Sequence, residues 1–312
     1  MIFILKKKLR SYTHKSMLLK RVYLLLNRVK MYFTRFLSDD IYAKIKYKEN
    51  TGLLLNLDSP VLFNEKLWWL KINYRIPLMT QCSDKIEVRK YIKKIGLEHI
   101  LNDTYGFYDS FSEIPFNKMD GRYFIKCNHG SGTNALFDSK KPFDFEKMES
   151  VFNSALKSNY YYQSREWNYK NIKPRIIVEK YIESTTSLLD YRFFCFHGEA
   201  KLIFVDIDTA AEDGSHNPSA KRNIYDRDFK LQSYTVGREN FDINLVSKPD
   251  NLDVMLDYVQ KISSPFIFCR VDLYNVNGEI YFGEITFYPG GATQQFSSKE
   301  KDLEISSWIN LG

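Results

Sequence analysis

Residues 265–287, PFIFCRVDLYNVNGEIYFGEITF, read as two apolar strands folded back on each other, and this stretch decides the fold. Asn277-Gly278 supplies the turn, because both residue types accept the positive φ that a two-residue hairpin demands. Side chains two apart on a strand share a face, so Arg270 sides with Asp272 and Glu284 with Thr286. A turn at Asn277-Gly278 then brings Asp272 close to Glu284. Two carboxylates wedged between Ile, Phe, Val and Leu repel unless a cation sits between them. All-oxygen ligands suit a hard divalent ion, Mg²⁺, bridging nucleotide phosphates. Two solvent-facing acids on an exposed hairpin give the same spacing.

Working outward, residues 190–208, DYRFFCFHGEAKLIFVDID, form a second hairpin with its turn at His197-Gly198. Arg192 lies in an otherwise apolar strand, so its guanidinium must meet Asp190, another acid, or a substrate phosphate or carboxylate. Upstream, RYFIKCN at 122–128 is a strand that carries Lys126 to the edge of the loop HGSGTN. Glycines let backbone N–H groups approach an anion, and the ammonium adds a point charge. A glycine hairpin that merely neighbours a lysine is the other reading, since neither a Walker A loop nor a GxGxxG motif is present. RIIVEKYIE at 175–183 is a further strand. Its exit at Glu179-Lys180 either presents a carboxylate and backbone groups to adenine and ribose or closes an edge-strand ion pair.

Helical patterns cover FNEKLWWLKINYR from residue 63, SDKIEVRKYIKKIGL from residue 83, and the stretches near 144–158 and 251–263. Ser83 is placed as an N-cap and Gly96 as a stop. Alternating strands and helices give an α/β or α+β fold and exclude an all-α one.

The 312 residues are 44% hydrophobic, enough for a sizeable core. The formal net charge is +7, yet residues 1–38 hold ten cations and no acid, which leaves −3 for the rest of the chain. The basic character therefore belongs to an arm and is no sign of a nucleic-acid binder. Residues 17–37 carry apolar and basic faces at helical spacing, which suits either an anionic membrane interface or docking on the chain's own domain. Cys82, Cys127, Cys195 and Cys269 form no CxxC pair and read as reduced thiols of a reducing, cytoplasmic compartment. No secretory signal and no membrane-spanning apolar run is expected.

In order, FNEKLWWLK, SDKIEVRKYIKKIG, FIKCNHGSG, PRIIVEKYI, DYRFFCFHG, RVDLY and FGEITFYPGG resemble the ATP-grasp superfamily over about residues 60–295. More narrowly they resemble its TupA-like branch, named for teichuronopeptide biosynthesis. The resemblance implies an α+β fold in which two α/β lobes with antiparallel sheets clasp ATP, beside an N-terminal helical segment. It divides the chain into an arm (1–45), a helical region (46–115), a lid subdomain (116–178) and a catalytic, metal-binding subdomain (179–312).

By that resemblance Lys126 contacts the α- and β-phosphates, and Gly130, Ser131 and Gly132 fold over them. Glu179 and the backbone of Tyr181 and Ile182 hold adenine, with Lys180 nearby and Lys85 adding a nucleotide contact. Asp272 and Glu284 bind Mg²⁺, Arg270 neutralises the γ-phosphoryl group, and Arg192 steadies a phosphate or the activated carboxylate. Thr286 departs from the family's usual Asn at the third metal position. His129 touches phosphate or packs the loop. The implied activity is carboxylate–amine ligation through an acyl phosphate, joining an amino acid or amine to a uronic acid of a capsule or O-antigen precursor, with residues 1–38 holding the enzyme peripherally at the membrane. A sugar or polyol kinase and a polysaccharide glycosyltransferase are the alternatives.

Overall fold

The computed structural model describes residues 34–184 and 188–312. The basic helix expected over 17–37 lies, up to residue 33, outside the described residues. None of the described helices is long and apolar enough to cross a membrane.

Helix α1 (Asp39–Thr51) starts where the Ser38 side chain accepts the Ile41 amide and stops at Gly52. Three more helices follow: α2 (Phe63–Asn73), α3 (Pro77–Ser83) and α4 (Val88–Lys94). Ser83 is not the N-cap expected of it. It ends α3, and its Oγ donates to the Met79 carbonyl at 2.8 Å. The neighbouring Asp84 carboxylate turns the chain instead, accepting from the amides of Ile86 at 2.8 Å and Glu87 at 3.3 Å. Pro77, preset for a first helical turn, opens a short helix that the periodicity passes over. Gly96 stops the next segment at φ 78°.

A four-stranded antiparallel sheet comprises β1 (Thr104–Tyr108), β2 (Arg122–Cys127), β3 (Asn134–Asp138) and β4 (Ile176–Lys180), in the order β1-β4-β2-β3. Both divisions expected at 115/116 and 178/179 fall inside this unit, because β1 pairs with β4 and β4 runs unbroken across Val178 and Glu179. Alternation buries Ile125, Cys127, Ala135, Phe137, Ile176 and Val178 on one face, against Phe111 and against Phe152 of α5 (Phe145–Leu156). Lys126, Phe124, Ile177 and Glu179 therefore share the opposite face.

The larger antiparallel sheet comprises β5 (Asp190–Phe196), β6 (Glu199–Ile207), β7 (Lys221–Asp226), β8 (Phe268–Val276) and β9 (Glu279–Thr286), in the order β7-β6-β5-β8-β9. Its apolar face packs on α6 (Leu252–Ser263), whose Met255, Val259 and Ile262 are buried. Both expected hairpin turns form, with positive φ at His197 and Gly198 and at Asn277 and Gly278.

The β6–β7 connection reaches across to the smaller sheet, where the Leu136 amide donates to the Asp213 carbonyl at 3.0 Å. Gly214, at φ +81°, permits this approach, since a Cβ there would lie 2.7 Å from the Leu136 nitrogen. Gly214→Val should release the loop. Loss of one backbone hydrogen bond, about 1 kcal/mol, accelerates exchange of the Leu136 amide about fivefold or more. Unchanged exchange at Leu136 would show that the contact does not hold the loop.

Candidate active site

The larger sheet carries a row of charge through its own register. Arg222 opposes Asp206, Asp206 opposes Asp190, Arg192 opposes Asp272, Asp272 opposes Glu284, and Arg270 opposes Thr286. Residues opposed across a ladder share a face, so all eight lie on one side of the sheet.

The Asp272–Glu284 pairing depends on a bulge. A plain ladder closed at Asn277-Gly278 pairs Asp272 with Gly283 and turns Glu284 to the other face. The register instead shifts between Asp272 and Leu273, so that Leu273 opposes Phe282 and Asp272 opposes Glu284. Gly283 absorbs the extra residue: a Cβ there would lie 3.0 Å from the Asp272 carbonyl oxygen.

A cation lies between these acids. Arg270 donates through Nε to Asp272 Oδ1 and through Nη2 to Oδ2, both at 2.6 Å, and Nη2 also reaches Glu284 Oε1 at 2.9 Å. Thr286 Oγ1 donates to Glu284 Oε1 at 2.9 Å. Burial pushes the Asp272 carboxyl up to about 7, against the pull of Arg270 and Arg192. Burial also raises Glu284, but Arg270 and Lys85 outweigh it and hold that carboxyl at about 2. Arg192 donates to Asp190 Oδ2 at 2.5 Å and lies 3.0 Å from Asp206 and 3.8 Å from Asp272. The anion that Arg192 requires is thus a set of three aspartates.

On the smaller sheet Lys126 Nζ donates to Glu179 Oε2 at 2.8 Å, and Arg89 lies 3.7 Å from the other oxygen. Lys85, just before α4, holds the loop after β2. Its Nζ donates to the Gly130 carbonyl at 2.7 Å, beside exposed Ser131 and Gly132. Burial lowers its pKa, the charges of Glu284 and Glu179 raise it, and Lys126 lowers it further. One ammonium therefore senses the β9 acid and the β2–β4 ion pair together. Asn128, fully buried, fixes this loop by donating to Asp84 Oδ1 at 2.9 Å.

His129 is buried against α5, with Nε2 3.0 Å from the Ala155 carbonyl, and burial lowers its pKa. In this arrangement its ring packs the loop. Tyr181 stacks on Phe124 with ring centroids 6.0 Å apart, and Lys180 pairs with Asp103 at 3.2 Å. Lys180, Tyr181 and Ile182 form one wall of a cavity of about 830 Å³, closed by Asn102, Tyr258 and Tyr281 among others. Lys126, Asp272 and Glu284 do not line that cavity.

With this geometry in view, the family that matches is TupA-like ATPgrasp, over residues 65–310. The chain belongs to that family. Its fold is the ATP-grasp α+β architecture, two antiparallel sheets with helices. No match was found among curated proteins. Among solved structures the chain is similar to D-alanine–D-alanine ligase from Bacillus anthracis (16% identity, 66% of this chain, 57% of that one, TM-score 0.37). It is also similar to L-amino acid ligase from Bacillus licheniformis (11%, 85% and 56%, TM-score 0.41) and to D-alanine–D-alanine ligase from Helicobacter pylori (14%, 80% and 69%, TM-score 0.40). The chain spans 57% and 56% of the two Bacillus ligases.

The residues of this TupA-like chain can be tested against Mg²⁺. Asp272 and Glu284 offer hard oxygens on adjacent strands, and a guanidinium already occupies the place between them, so a cation fits. Thr286 adds a hydroxyl within hydrogen-bond reach of Glu284. Among the described residues no group of three or more His, Cys, Asp or Glu side chains is placed to hold a metal ion. The donor set is thus two carboxylates and a hydroxyl.

Asp206, Arg222 and Arg238 join the row without having been singled out in the sequence. Asp206 interrupts an apolar strand just as Arg192 does, and the same cost of burying a charge was the available signal. Lys71 and Glu166 are also buried charges beside the site. Lys71 Nζ donates to the Gly291 carbonyl at 2.9 Å and lies 3.8 Å from the Trp68 ring centroid, tying α2 to the turn after β9. Burial pushes Glu166 up from 4.5 to about 7, with Lys71 opposing. A raised carboxyl supplies stability that is full below pH 4.5 and lost as pH rises through 7. Denaturant titrations at pH 4.5 and 8 should show wild type losing on the order of 2 kcal/mol relative to Glu166→Gln. Parallel pH profiles would contradict this origin.

Proposed function

We propose that this ATP-grasp protein is an ATP-dependent carboxylate–amine ligase. The observation that carries the reading is the facing of Asp272 and Glu284 around Arg270 in a chain of the TupA-like ATP-grasp family. Nucleotide phosphates placed between the sheets would meet Lys126 and Lys85 on one side and Arg270 on the other.

The roles follow from the side chains. Lys126 and Lys85 neutralise phosphate oxygens, and the exposed Ser131-Gly132 turn supplies backbone N–H groups close to them. Glu179 and the Tyr181–Ile182 backbone hold the adenosine end. Asp272, Glu284 and Thr286 would hold Mg²⁺, which screens the charge of the β- and γ-phosphates when bound. Arg270, which donates to the side chains of Asp272, Glu284 and Thr286, orients the transferring group, and Arg192 steadies the attacking carboxylate.

In the first step a carboxylate oxygen bonds to the γ-phosphorus and the bond to ADP breaks, leaving an acyl phosphate. In the second an amine nitrogen bonds to the acyl carbon, the carbon–oxygen bond to phosphate breaks, and the amine gives up a proton. The TupA-like resemblance directs the acid to a uronic acid of a surface-polysaccharide precursor and the amine to an amino acid or simple amine. Residues 1–38, with ten cations, would hold the enzyme beside an anionic membrane.

Incubation with ATP, amine and uronic-acid glycan should release phosphate only when both substrates are present, with a product mass equal to acid plus amine less water. A product heavier by one phosphoryl group, or ADP release with no amide, would overturn the ligase reading.

A further inference from the structure

The β7 end of the charged row crowds several arginines onto one acid. Asp206, with 0% exposure, receives three guanidinium groups. All three meet one oxygen, Oδ2: Arg238 Nη1 at 2.5 Å, Arg222 Nη2 at 2.7 Å and Arg192 Nη1 at 3.0 Å. Asp190 is bound to Arg192 as well, while Asp272, 3.8 Å from Arg192, is held by Nε and Nη2 of Arg270. Three guanidinium groups thus crowd one carboxylate oxygen in a place largely shielded from water.

The arginines are not equivalent. Arg222 is committed to the fold: Nε and Nη2 grip Asp206, and Nη1 donates to the Val236 carbonyl at 3.1 Å. Arg238 gives Asp206 a single nitrogen, Nη1, and 15% of its side chain remains exposed. Arg192, 14% exposed, stands between Arg238 and Asp272. Like charges held on one carboxylate oxygen repel one another, and burial raises that cost. A second anion relieves it, and the free fork of Arg238 matches a planar or tetrahedral oxyanion.

We infer that Arg238, backed by Arg192, forms a subsite for an anionic group, a carboxylate or a phosphate, on the substrate that is not the nucleotide. The row from Glu284 to Arg238 then works as a ruler: nucleotide at the β9 end, reacting carboxylate near Arg192, second anion at the β7 end. The assignment to that substrate rests on the ligase reading; the anion subsite rests only on the arginines. A carboxylate matches an amino-acid acceptor, and a phosphate matches a phosphate-linked sugar.

The test titrates full-length protein with inorganic phosphate and, in parallel, with sodium acetate at constant ionic strength, reading thermal stability. Wild type, Arg238→Met, Arg238→Lys and Lys126→Met are compared. The expected result is that one or both anions stabilise wild type and Lys126→Met alike, while Arg238→Met binds at least tenfold more weakly. Arg238→Lys, which keeps the charge and loses the fork, should fall between, and it carries the test if the methionine variant does not fold. A response to acetate alone assigns a carboxylate, and a response to phosphate alone assigns a phosphate. Wild type stabilised by neither anion, or Arg238 variants stabilised as wild type is, would overturn the subsite. Mg·ADP is titrated separately on the same proteins. Its failure to bind would sink the ligase reading while the anion result stands on its own.

Discussion

Asp272→Asn should lower turnover about a thousandfold in a protein that remains folded. The side chain keeps its volume and loses its charge. Asp272 takes both forks of Arg270 and opposes Glu284, so it is the residue shared by the guanidinium and the proposed metal. Without its charge the site holds one carboxylate, Glu284, against Arg270, Arg192 and Lys85. A divalent cation gains little from such a place, and several kcal/mol of charge stabilisation are lost from the transition state. Breaking a buried pair also costs stability, on the order of 3 kcal/mol, so turnover is read at a temperature where circular dichroism shows the native fold. Glu284→Gln should behave alike and Thr286→Val far more mildly, because the hydroxyl is one neutral donor. Near-normal turnover in folded Asp272→Asn would remove the acids from the chemistry.

The second large effect falls on Arg270. Arg270→Lys should reduce kcat about a hundredfold or more, with little change in KM for ATP. An ammonium cannot copy the planar fork that meets Asp272 twice and Glu284 once. A group that steadies the phosphoryl in transit contributes mainly in the transition state, so its loss appears in kcat. The kcat–KM split separates this role from plain bracing, which would move stability and KM together. An Arg270→Lys enzyme with unchanged kcat and a lower melting temperature would make Arg270 structural.

How much of this was legible beforehand depended on the distance over which each contact acts. The turns at His197-Gly198 and Asn277-Gly278 are local and could be read directly, as could the pairing of strands on either side. Arg192 announced a need for acids because the cost of an unpaired buried charge is a property of one position and its neighbours. The bulge at Gly283 was not legible. Alternation alone places Glu284 on Asp272's face only if one residue is absorbed, and glycine merely permits that. Ser83 was misplaced because Pro77 opens a helix without apolar periodicity that Ser83 closes, leaving the turn before α4 to the Asp84 carboxylate. Asp206 meets Arg238 thirty-two residues further on, across a loop whose path no local pattern reveals. Lys71 and Gly291 lie 220 residues apart, and only the packed fold brings them together.

The most direct measurement is a crystal structure of the full chain grown with Mn²⁺ and ADP, with the metal located by its anomalous signal. The expected result is one metal peak bonded to Asp272 and Glu284, with the phosphates of ADP between that ion and Lys126. A nucleotide bound away from Lys126, or a metal elsewhere while both acids stay with Arg270, would contradict the convergence of the two sheets on one nucleotide.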